Sequence, residues 1–121
     1  MSNALPILSL ALNIAVLAPL CAALLSASPG MDAAYGPPTP ARGILTAVYL
    51  AILAASLVLL AALVLAPPWW RPALVTLLAL QCGYKLLTIP LVRFGNPVVV
   101  ANTAITALHL VTLWWVLLRA P

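Results

Sequence analysis
The sequence predicts an all-α integral membrane protein, a four-helix bundle of antiparallel transmembrane helices joined by short loops. Three observations predict it. Of 121 residues, 66% are hydrophobic and only 5% charged, whereas soluble domains run near a quarter charged, so this chain cannot cover an ordinary water-facing surface. Four apolar runs each reach the roughly 20 residues that cross a hydrocarbon core. Clusters of turn-forming residues separate them. The apolar content excludes disorder, and two cysteines exclude a disulfide scaffold.

The runs cover about residues 5–27, 43–66, 73–92 and 98–118 of a single transmembrane domain, 1–121. They are rich in Ala and Leu and lack period-two alternation, so helices are expected and barrel strands are not. The first run has Ser26-Ala27-Ser28, small enough in composition for a signal-peptidase site. No Lys or Arg precedes it, however, and Asn13 and Pro19 interrupt its core, so it reads as a retained span. Residues 28–42 form the one long connection, rich in Pro and Gly, expected as an extended, non-helical loop outside the bilayer. Pro67-Pro68-Trp69-Trp70-Arg71-Pro72 and Arg93-Phe94-Gly95-Asn96-Pro97 are tight hairpins. Pro19 and Pro90 lie inside spans, where each leaves a carbonyl one turn back without its partner, so local kinks are expected.

Four spans put both termini on one side with the Trp-Trp hairpin. That side carries Arg71, Arg119 and the terminal amine; the other carries Arg42 and Arg93, offset by Asp32. The positive-inside rule then assigns the termini to the cytoplasm by a narrow margin. Trp69, Trp70, Trp114 and Trp115 fall at the terminal side, as an interfacial aromatic belt would. The net charge of +4 comes from scattered basic residues at span ends, not from a patch, which argues against nucleic-acid partners.

Gly43, Ala47, Ala51 and Ala55 recur every fourth residue in the second span, and Ala11, Ala15, Ala23 and Ala27 keep the same interval in the first. Small residues so spaced let membrane helices approach closely, which predicts packing of spans one and two through these faces. Abundant alanine alone also produces such a pattern.

The polar residues of the last two spans are more informative. Gln81, Lys85 and Thr88 line one face of span three, and Asn102, Thr106 and His109 line one face of span four. Folded about Gly95-Asn96, the stripes come into register: Thr88 opposite Asn102, Lys85 opposite Thr106, Gln81 opposite His109. The pattern predicts a polar seam, serving either as interhelical hydrogen-bonding glue or as a solute pathway. Lys85 lies roughly 12 Å from the end of its span at the helical rise, so it either snorkels or is buried. Asp32, the sole acid, has Lys85, Arg93 and Arg42 as candidate ion-pair partners.

Catalytic residues, cofactor ligands and metal ligands are not expected. One acid cannot form a carboxylate pair, and there is no nucleophile motif or phosphate loop. One histidine cannot supply both axial ligands of a haem, and Cys21, Cys82 and His109 lack the short spacing of a metal site. The expected role is a non-catalytic accessory subunit or assembly factor of a larger membrane complex. Its partners would be membrane lipid and other membrane-protein helices, or a second copy of the chain. The alternative is a small oligomeric transporter or channel for a neutral, anionic or lipid-like solute, using the seam.

Overall fold
A computed structural model describes residues 3–118; Arg119, counted above on the terminal side, lies outside the described residues. The described chain is entirely helical: α1 Ala4–Leu25, α2 Met31–Tyr35, α3 Pro40–Leu65, α4 Trp70–Val92 and α5 Pro97–Leu118. All but α2 are long and apolar enough to cross a membrane by length and composition. Their bounds fall within a few residues of the expected runs, the largest shifts being the starts of α3 and α4, three residues each. Pro40 sits in the first turn of α3, where its missing N–H costs nothing, and so the helix begins before the apolar run does.

Helix ends follow local chemistry. α1 closes in a Schellman motif: Ala27, at φ +53°, turns left-handed while the Ser28 N–H reaches Ala23 O and the Ala27 N–H reaches Leu24 O. The expected extended, non-helical loop is corrected by α2, one short helical stretch between the glycines Gly30 and Gly36; it stops at Gly36, whose φ of +79° and ψ of 177° is a conformation open essentially to glycine alone. Arg93 ends α4 in a similar region, at φ +74° and ψ 161°. Both α1 and α4 continue through their internal prolines, Pro19 and Pro90.

The four long helices alternate in direction around a ring. α1 packs most closely on α3, and α4 on α5; sparser α1–α5 and α3–α4 contacts close the ring. Inward positions recur at intervals of three and four: Ser9, Asn13, Leu17, Cys21 and Leu24 on α1, and Arg42, Thr46, Tyr49, Ile52, Ser56 and Leu59 on α3. The small-residue expectation is corrected here. Gly43, Ala47 and Ala51 are exposed and Ala55 is only half-buried, because bulkier Tyr49, Ile52 and Leu59 turn inward instead and join Leu10, Leu17, Cys21 and Leu24 of α1 in the core. Ala11, Ala15 and Ala27 are likewise exposed.

Two apolar clusters hold the ring. Near the chain termini, Leu10, Leu59, Leu74, Leu78 and Val116 are buried together, with Trp70 and Trp115 packed against them. Towards α2, the core shifts to the α1–α3 side: Leu17, Cys21, Leu24, Tyr49 and Ile52, covered by Met31 and Tyr35. That shift leaves room on the α5 side, and the candidate site occupies it.

Candidate functional site
The interior carries an unusual number of polar side chains for so apolar a chain. Ser9, Asn13, Ser56, Gln81, Lys85, Asn102, Thr106, His109 and Thr112 are all buried. In the terminal half they are laced together. The Thr112 hydroxyl donates to Leu108 O at 2.9 Å, so Ser9, 2.6 Å away, donates to Thr112. Ser56 Oγ donates to Ile52 O at 2.8 Å and accepts from Asn13 Nδ2 at 3.2 Å. Asn13 Oδ1 therefore faces His109 Nε2, 3.0 Å away, and that nitrogen must carry the proton. One asparagine thus binds α1, α3 and α5 together and sets the histidine tautomer.

Beyond Asn13, α1 and α5 part. A chamber of about 460 Å³ lies between them, reaching from α2 down to Asn13, Lys85 and Ile105 near mid-length of their helices. Val16, Leu17, Leu20 and Ile105 give it apolar walls, Tyr35, Tyr49 and Tyr84 line its α3–α4 side, and Pro19, Pro97 and Ala101 are exposed around it. A second lobe of about 360 Å³ shares Ala34, Tyr35, Tyr49, Tyr84, Val98 and Asn102 and extends to Thr88 and Asn96.

α2 roofs this space and is bracketed from two sides. Asn96 Nδ2 donates to Ala34 O at 2.8 Å while Asn96 Oδ1 accepts from the Val98 N–H at 2.9 Å. Arg42 Nη1 donates to Gly36 O at 2.8 Å and pairs with Asp32 Oδ1 at 2.5 Å. Of the three candidate partners of Asp32, Arg42 is the one that pairs with it, and the ion pair with Lys85 or Arg93 is corrected. Arg42 projects from the first turns of α3 beside α2, whereas Arg93 is exposed and Lys85 points away. Tyr35 meets Tyr49 edge to face, centroids 6.0 Å apart and rings at 81°. Burial, with the neighbouring Tyr49, pushes the Tyr35 phenol above its ordinary pKa, so it stays an O–H donor over the whole working pH range.

Lys85 is buried, not snorkelling: it is 5% exposed, and Nζ donates to Gln81 Oε1 at 3.2 Å, one turn towards the middle of α4. Helical side chains lean towards their own N-terminus. The N-terminus of α4 is at the far end, so reaching the nearer surface would run against that lean. The same lean revises the seam. On antiparallel helices positions equidistant from the turn lean in opposite directions, and the expected cross-pairs do not form hydrogen bonds. Gln81 and Lys85 bond along α4, Thr88 is half-buried and donates to Lys85 O at 2.6 Å, and His109 turns to α1. Gln81 Nε2, Asn102 Nδ2, Thr106 Oγ1 and His109 Nδ1 are buried without partners.

At the opposite end, Trp69 and Trp114 are exposed, and Trp70 and Trp115 are half-buried. Arg71 donates to Val116 O, satisfying a carbonyl in the last turn of α5. Among the described residues no cluster of His, Cys, Asp or Glu has metal-binding geometry. Sequence reasoning passed over Ser9, Ser56, Thr112 and the tyrosines of the chamber. Ser9 and Asn13 carry the same four-residue interval as the seam, the one signal that points to them. Comparison with protein-family models, curated proteins and solved structures finds no match.

Proposed function
We propose that the four long helices span a bilayer, with the termini on the cytoplasmic side and the tryptophans at its interface, and that the protein binds a small solute in the chamber as a carrier. The observation that carries this reading is the chamber itself, which descends to mid-length with Lys85 and the unpartnered amide of Asn102 in its wall. Buried polar atoms are nearly always satisfied, and an ionisable group at membrane depth is costly. A site that leaves both in an otherwise apolar cavity of ligand size is built for something that completes it. The exposed mouth residues Pro19, Pro97 and Ala101 would face acyl chains, so entry is from the bilayer between α1 and α5. Catalysis has no support in this wall, which holds no carboxylate.

A second reading, the accessory subunit, is favoured by one observation: the exposed Gly43, Ala47 and Ala51 face of α3 would admit a partner helix, from another membrane protein or a second copy. Extraction in mild detergent followed by native mass spectrometry separates the two. A carrier retains a small molecule at up to one per chain, lost in Ala101→Trp. A stoichiometric protein partner with no bound molecule would overturn the carrier in favour of the accessory role.

A further inference from the structure
The hydrogen-bonding capacity left over around the chamber floor has a sign; Thr106 Oγ1 and the acceptor His109 Nδ1, also unpartnered, belong to side chains that do not line the chamber. Lys85 has three N–H groups and gives one, to Gln81 Oε1. That bond uses the amide oxygen of Gln81 and leaves its Nε2, a donor, unpartnered beside the lysine. Asn102, 7% exposed and lining both lobes, has an Nδ2 that is unpartnered but without open surface of its own, so it meets a chamber ligand once the amide turns. The charge is unbalanced in the same sense. Asp32 is the only acid of the chain, and it is on the roof, paired with Arg42, its side chain 63% exposed. The Tyr84 ring lies 5.8 Å from Lys85 Nζ, a cation–π contact that faces the ammonium without neutralising its charge, and no acid lines the chamber. Above the floor Val16, Leu17, Leu20 and Ile105 give apolar walls, with the rings of Tyr35, Tyr49 and Tyr84 along the α3–α4 side.

We infer that the chamber floor takes a carboxylate carried on a compact apolar body, with Lys85 as its counter-ion and the Asn102 amide as a second donor. The inference rests on the chamber being a binding site and names its ligand class. A carboxylate is acceptor-only, with room for several donors, and it brings the single negative charge that one lysine lacks. The apolar body fills the remainder of a cavity within the ordinary range of ligand sites, about 300–1,000 Å³. Such an acid has two sources, a fatty acid of the bilayer or an organic acid from water, and chain length distinguishes them.

The test uses the full chain in phosphatidylcholine nanodiscs, titrated calorimetrically with decanoate, hexanoate and decanol against protein-free nanodiscs. Decanoate is expected to bind at least ten-fold tighter than decanol. Lys85→Met is expected to remove at least ten-fold of the decanoate affinity and leave decanol unmoved. Asn102→Leu, which keeps the lysine, is expected to remove several-fold, so the inference stays testable if Lys85→Met fails to fold. Hexanoate binding close to decanoate supports an acid from water; decanoate alone supports a bilayer acid. Equal binding of decanol and decanoate, both abolished by Ala101→Trp, overturns the carboxylate while leaving the chamber a binding site. Heats that Ala101→Trp does not change, or no binding at all, overturn both.

Discussion
The two halves of the bundle are made of the same helices and solve burial in opposite ways. In the terminal half, Leu74 and Leu78 of α4 have no exposed surface and meet Leu10 and Val116, and every polar group of the Ser9–Thr112 and Asn13–Ser56 pairs has its partner. In the α2 half, apolar packing retreats to the α1–α3 side and leaves a cavity whose wall contains an unsatisfied amide and an ammonium with no acid beside it. Asn13 marks the border, lacing the first half and flooring the second. The contrast teaches that a polar interior in this chain is not one property. The same residue types serve as cement below Asn13, where His109 Nδ1 alone is left over, and as donors left unfilled in Gln81 and Asn102 around the chamber.

The largest effect that would break this comparison is on packing. Leu78→Ala is expected to cost about 3 kcal/mol, within the range of buried leucine truncations, whereas Leu20→Ala, beside an existing cavity, should cost under about 1 kcal/mol. Unfolding in mixed detergent micelles measures both, and equal costs would erase the distinction between the halves. Asn13→Leu comes next, at about 2 kcal/mol, since it strands the His109 Nε2–H and removes the donor to Ser56. Its hydrogen-exchange signature should be faster exchange in the terminal halves of α1 and α5. Arg93→Gly should stabilise by about 1 kcal/mol, because φ +74° with ψ 161° suits glycine and strains any side chain; a loss of stability would show that Arg93 holds something more. Smallest is Asp32→Asn, about 0.5 kcal/mol for a partly exposed pair. It sharpens the comparison by its location: exchange should quicken in α2 amides alone.

How much of this was legible before the fold was seen differs by kind of information. Four long helices and their joints follow from run length and turn residues, because hydrophobicity and proline act locally. The polar stripe of α4 and α5 was also legible as a set of inward residues. Gln81, Lys85, Asn102, Thr106 and His109 are all buried, since helical spacing places them on one face. Their partners were not legible. Pairing depends on side-chain lean and on which third helix fills the groove, and so His109 meets Asn13 rather than Gln81. The small-residue face of α3 misled for a related reason: Gly43 and Ala47 stand one residue beyond the inward Arg42 and Thr46, and from there the inward stripe steps by three to Tyr49 and Ile52 while the small residues step by four to Ala51. A period says that a face exists, and only volume says which face turns inward.

The inward lean of Lys85 has an electrical consequence. Its ammonium lies near the middle of α4, so in a spanning orientation a charge reaching it from either surface crosses about half of the transmembrane field. At about 2.3 kcal/mol per elementary charge per 100 mV for the full drop, that half amounts to about 1 kcal/mol per 100 mV. A monovalent anion settling on the chamber floor through the α2 end would therefore bind several-fold tighter at one polarity of a 100 mV potential than at zero, and weaker at the other. The sign of that dependence reports which side of the membrane α2 faces, a matter on which the scattered arginines of the sequence weigh almost evenly.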